Sequence, residues 1–180
     1  MKRNFTDMDR KIIDTRTVAV LKALPYRDGV DLRVDSVRLA RFFGFTVEEE
    51  ELLQHEDGSV NVYIPKEGDT RPKEKYIVVN RNRSRKHKRF IITHELSHYL
   101  LHYTGESLFM HREDKKGKNT EENDADYMAA CLLMPEKSFR NQYNALKDSR
   151  THEELVKELG EIFCTPQESV IRRIDEVCAE

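Results

Sequence analysis

An α+β fold is what the sequence predicts, with N-terminal helices, a small and mainly antiparallel sheet, and a helical C-terminal half. Three observations predict it. Strand-like runs are confined to residues 45–80. From Ser84 onward apolar residues recur at helical spacing. Glycine and proline fall between these runs, at Pro25, Gly29, Gly44, Gly58, Gly68, Pro72, Gly105 and Pro135, where turns and helix ends are expected. A length of 180 residues fits one domain over 1–180.

Taken in order, KIIDTRTVAVLKAL (11–24) places Ile12, Ile13, Val18, Ala19 and Leu21 at roughly helical spacing and stops before Pro25. DSVRLARFFGF (35–45) reads as a short helix, with Asp35 or Ser36 as N-cap and Gly44 as its stop. FTVEEEELL can begin a strand, SVNVYIP alternates, and KYIVVN is a β-branched and aromatic run. A helix leading into a strand fits 35–52 better than a helix-turn-helix module. Residues 85–103 then form a helix, 111–120 a polar surface loop, and 120–134 a helix with Thr120 as N-cap and acids in its first turn. Three further helices follow, over 135–146 after Pro135, over 152–160, and over 165–177.

Charged residues make up 36% and apolar ones 38%, and no run approaches the ~18 apolar residues of a membrane-spanning helix. Charges nearly cancel (31 Lys+Arg against 33 Asp+Glu, net −2), which argues against a general nucleic-acid binder and against wholesale disorder. The opening MKRNFTDMDRKIID lacks the apolar core of a signal peptide. Cys131, Cys164 and Cys178 are too scattered for a disulfide framework, so a reduced, cytoplasmic protein is expected.

Chemistry concentrates in one segment, His94-Glu95-Leu96-Ser97-His98, an H-E-x-x-H pattern inside an expected helix. Residues four apart share a helical face, so His94 and His98 can aim imidazole nitrogens at one point about 2 Å away, as Zn2+ requires. Glu95 lies about 100° further round. It suits a general base acting on metal-activated water better than a ligand. His102 continues the spacing, but it stands roughly 12 Å along the axis from His94 and is read as a packing or hydrogen-bonding residue. The longer H-E-x-x-H-x-x-G-x-x-H form fails, because Leu101 and Thr104 occupy its last two marked positions. A third ligand must come from elsewhere. The acidic start TEENDAD offers Glu122, with Asp126 one turn on to accept a ring N–H from a ligand histidine. Glu121 and Asp124 compete for the ligand role, and His111 ranks behind them. The His₂Glu set favours zinc over other divalent ions.

HELSH followed after a gap by E-x-x-A-D-Y-M-A-A-C-L-L-M-P resembles the ImmA/IrrE family of metallopeptidases, through Phe90–His102 and Glu122–Pro135. The resemblance implies a compact α+β, gluzincin-type zinc endopeptidase. His94, His98 and Glu122 would be its metal ligands and Glu95 its catalytic glutamate. It also implies a protein substrate, a transcriptional repressor in the bacterial cytoplasm. Ser97, Asp124 and Met128 depart from residues common in the family, at none of the proposed ligand positions. The rival expectation is a regulatory protein on the same scaffold that binds a repressor, or senses zinc, without cutting.

RNRSRKHKR (81–89) is read as a solvated basic face, with the acidic run 48–51 as a candidate partner. Without interleaved aromatics it is weak evidence for nucleic acid. Cys131, in an apolar stretch, is read as a buried thiol, and no role is assigned to Tyr99, Tyr103 or Tyr127.

Overall fold

The computed structural model describes residues 7–112 and 120–178. In chain order the elements are α1 (Asp7–Ala23), α2 (Ser36–Phe42), β1 (Thr46–Glu50), β2 (Gly58–Tyr63), β3 (Glu74–Asn80), α3 (Arg85–His102), β4 (Leu108–Arg112), α4 (Thr120–Leu133), α5 (Glu136–Leu146), α6 (His152–Ile162) and α7 (Gln167–Val177). This is the expected α+β arrangement. The strand order is β1-β3-β2-β4. β2 pairs antiparallel with both β3 and β4, whereas β1 runs parallel to β3. The sheet is therefore mainly antiparallel, with one parallel edge.

Local chemistry fixes several boundaries. Asp35 caps α2 by accepting hydrogen bonds from the Val37 and Arg38 amides, and Gly44 follows its end at φ +81°. Thr151 and Glu154 close a reciprocal capping box at the start of α6. Thr120, expected as an N-cap, is instead the first residue of α4. The loop expected over 111–120 can be compared only at its two ends. Residues 111 and 112 belong to β4, Thr120 is helical, and 113–119 lie outside the described residues.

β4 has no counterpart in the sequence expectation. LFMH is too short to show a strand period by itself, and its pairing with β2 comes from fifty residues away in the chain. Within it Leu108 and Met110 face out, while Phe109 and His111 are half-buried. His111 pairs with Val60, a fully buried core position of β2.

Two apolar clusters share α4. The first joins α1, α2, the sheet, α3 and one side of α4, with Val60, Val62, Ile77, Val79, Ile92, Leu96, Met128 and Leu132 at its centre. The second joins the other side of α4 to α5–α7, around Met134, Phe139, Leu159, Phe163 and Val170. α3 lies between the sheet and α4, so Ile91 to His98 are all buried, polar residues included. Two of these polar groups are satisfied within the helix, since the Thr93 and Ser97 hydroxyls donate to the carbonyls four residues back.

Much of the basic run is engaged by the rest of the fold. Lys88 pairs with Glu49, Arg81 donates to the Glu49 carbonyl, Arg83 pairs with Asp57, Lys86 pairs with Glu161, and Arg89 donates to the Val34 and Cys164 carbonyls. These contacts tie the start of α3 to the sheet edge and to α6, as the pairing with 48–51 anticipates.

Candidate metal centre

One turn of α3 presents His94 and His98 to the first turn of α4. Their Nε2 atoms lie 3.0 Å apart. Glu122 Oε2 is 3.1 Å from His94 Nε2, and Glu122 Oε1 is 3.5 Å from His98 Nε2. Ligands held about 2.0–2.1 Å from a tetrahedral zinc ion stand roughly 3.3 Å from one another. The imidazole separation and the two carboxylate contacts, one through each Glu122 oxygen, are close to that edge length. Among the described residues, His94, His98 and Glu122 form a cluster able to hold a metal ion, and Glu121 and Asp124 are not part of it. The donor set, two imidazoles and a carboxylate, suits zinc chemistry.

Surrounding charge favours a cation here. Burial alone pushes the His94 imidazolium down, but Asp126 and Glu122 outweigh it and raise His94 to about 10. Burial likewise opposes Glu122, yet His111, His94 and His98 hold its carboxyl well below the ordinary carboxylate range. His98 is pushed below its usual value, first by burial and then by the neighbouring histidines, against the pull of Glu122. A divalent ion would supply the positive charge that protons on these rings otherwise provide.

Glu95 is fully buried on the turn between the two histidines. Its Oε2 lies 3.4 Å from His111 Nδ1, while its Oε1 has no hydrogen-bond partner among the described residues. An orphaned, buried carboxylate oxygen at the edge of a ligand cluster is a feature that packing does not explain. Close approach of the sheet holds it there. A Cβ on Gly58 would meet Ile91 Cγ2 at 2.6 Å, the Val78 carbonyl at 2.8 Å and Glu95 Cγ at 3.6 Å.

Asp126 supports the cluster from behind. Its Oδ1 is 3.1 Å from His94 Nδ1, close but bent, and its Oδ2 accepts from Arg172 Nη1 at 2.9 Å. A cleft of about 180 Å³ opens beside His94, lined among others by Phe90, Ile91, Asp126, Ser169 and Arg172.

His111 is nearer the cluster than its sequence ranking implies. Its Nε2 is 2.8 Å from Glu122 Oε1, its ring stacks on that of His98 at 3.5 Å, and it is raised to about 9, with Glu122 and Glu95 overcoming the opposing effect of burial. No local sequence signal marks it, because the alternation that puts the histidine on the inward face appears only once the segment pairs with β2. His102 is not part of the cluster. Its ring lies 5.6 Å from that of His98, with Nε2 buried and unbonded among the described residues. The three tyrosines point to other partners. Tyr99 accepts from Lys75, Tyr103 donates to the Glu106 carbonyl, and Tyr127 donates to Asp14. Cys131 is buried, pushed up to about 12 by that burial, and accepts from Arg173 at 3.2 Å.

Fold and site together define an α+β protein with a largely buried His-His-Glu cluster able to hold a metal ion, beside a glutamate with one unsatisfied oxygen. The model of the peptidase family M78, described as the IrrE N-terminal-like domain, matches residues 50–175, and the chain belongs to that family. No curated protein matches the chain. Among solved structures, a Mycobacterium tuberculosis transcriptional regulator is similar in fold, with a TM-score of 0.54 at 17% identity over 96% of this chain. The match covers 48% of that protein, so this chain spans about half its length. No helix among the described residues is long and apolar enough to cross a membrane.

Proposed function

We propose that this chain is a single-domain, zinc-dependent endopeptidase that hydrolyses a peptide bond in a protein substrate. A bacterial transcriptional repressor is the substrate class that the family resemblance implies. The observation that carries this reading is the convergence of His94, His98 and Glu122, with the imidazole nitrogens 3.0 Å apart and a Glu122 oxygen 3.1 Å from one and 3.5 Å from the other, and Glu95 alongside. His94, His98 and Glu122 would hold the ion, leaving one position open. Bound zinc would polarise the scissile carbonyl and lower the pKa of the attacking water. Glu95 takes the proton of that water on its unpartnered oxygen and delivers it to the leaving amine. Asp126 keeps the His94 ring turned so that Nε2 faces the ion. The depth of Glu95 and His98 keeps bulk water from competing with these transfers. Three free cysteines, two of them buried, fit a reducing cytoplasmic setting.

The test is incubation of a candidate repressor with the protein, with and without a chelator. Fragments that disappear with the chelator support the enzyme. Complex formation without fragments would replace it with a repressor-binding regulator on the same scaffold.

A further inference from the structure

We propose that Arg172, on α7, is a positioning residue for the metal centre, acting on His94 through Asp126. The proposal rests on the ligand reading above and extends it beyond the two helices that carry the sequence motifs. The Asp126 carboxylate lies between His94 and Arg172, with Oδ1 3.1 Å from His94 Nδ1 and Oδ2 2.9 Å from Arg172 Nη1. Asp126 is 8% exposed. Rotating this carboxylate would break the bond to Arg172 and carry Oδ1 away from the imidazole, which it meets in a close but bent contact. The contact with Arg172 therefore fixes the plane in which Asp126 meets the imidazole. A fixed acceptor at Nδ1 selects the tautomer whose Nε2 lone pair faces the metal.

The next residue explains why α7 can serve as the anchor. Arg173 is buried and donates to the Met134 carbonyl and to Cys131 Sγ, both at the C-terminal end of α4. It fastens α7 to α4 and leaves Arg172, whose side chain is 47% exposed, laid over Asp126 at the edge of the cleft beside His94. Charge and orientation act in opposite directions here. A cation near the site repels a second cation, so removing it for charge alone would tighten zinc binding. If orientation dominates, removing it loosens zinc binding.

The experiment measures Zn2+ affinity of the full chain by competition with a chromophoric chelator. The variants are Arg172→Ala, Arg172→Lys, Asp126→Ala and the Arg172→Ala/Asp126→Ala double variant. We expect zinc binding about 10-fold weaker for Arg172→Ala, the lower end of the range for outer partners of metal ligands. Arg172→Lys should recover most of that loss, because a single donor makes the contact. In the Asp126→Ala background Arg172→Ala should cost nothing further. The half-exposed position of Arg172 keeps the fold out of the comparison. The proposal is overturned if Arg172→Ala binds zinc as tightly as the parent or more tightly, if the lysine variant is no better than the alanine one, or if the loss persists in full without Asp126. A parent that takes up no zinc would overturn the ligand reading itself, and the relay with it.

Discussion

The two cores on either side of α4 are built differently. Around α5–α7 the interior is mainly apolar, with Arg173 its buried charge, and its helices are one-sided: Leu155, Val156 and Leu159 line α6, and Val170, Ile174 and Val177 line α7. Between the sheet and α4, by contrast, α3 buries Thr93, His94, Glu95, Ser97 and His98 in an unbroken row with its apolar residues. Burying charged or strongly polar groups costs stability unless they are paired. The first core concentrates such groups at the candidate metal cluster. The difference places the candidate metal centre in the polar interior of the first core and leaves the second to apolar packing.

Glu95→Gln should have the largest effect. Proteolysis of a substrate repressor should fall about 10²–10⁴-fold, while zinc content stays at that of the parent. Undiminished cleavage would remove Glu95 from the chemistry. Glu122→Ala should weaken zinc binding by more than the ~10–100-fold that losing an outer partner costs, read by metal competition. On the other side of α4, Leu159→Ala should lower unfolding stability in urea by about 2–5 kcal/mol with zinc affinity of the folded chain retained. A parallel loss of affinity would mean that the two cores do not divide the work. Gly58→Ala sharpens the boundary. Overpacking against Ile91 and the Val78 carbonyl should cost about 1–3 kcal/mol and displace Glu95, lowering turnover more than zinc affinity. Least affected should be Lys88→Ala, which loses a half-exposed pair with Glu49 worth roughly 0.2–1 kcal/mol and leaves activity intact.

The same contrast explains what could be read in advance. Helices α5–α7 follow from a period that one stretch of chain contains, as do the caps at Asp35 and Thr151. His94, Glu95 and His98 were legible because a single helical turn carries the geometry, and Glu122 and Asp126 because they repeat it one helix later. β4 was not legible. Its four apolar or aromatic-like residues acquire a period only against β2, and with it came the inward placement of His111. Arg172 was equally hidden. Nothing near it in sequence marks it, and its meeting with Asp126 depends on how α7 docks on α4. The parallel edge formed by β1 is likewise a matter of tertiary pairing, since β2 runs antiparallel to β3 and leaves β1 the far side.

A crystal structure of the zinc-loaded protein tests the central claim most directly. The account predicts one ion per chain at about 2.0–2.2 Å from His94 Nε2, His98 Nε2 and a Glu122 oxygen, with Glu95 outside the ligand set facing the open position. An ion bound elsewhere, or one bound by His94 and His98 with Glu122 turned away and another acid in its place, would contradict it.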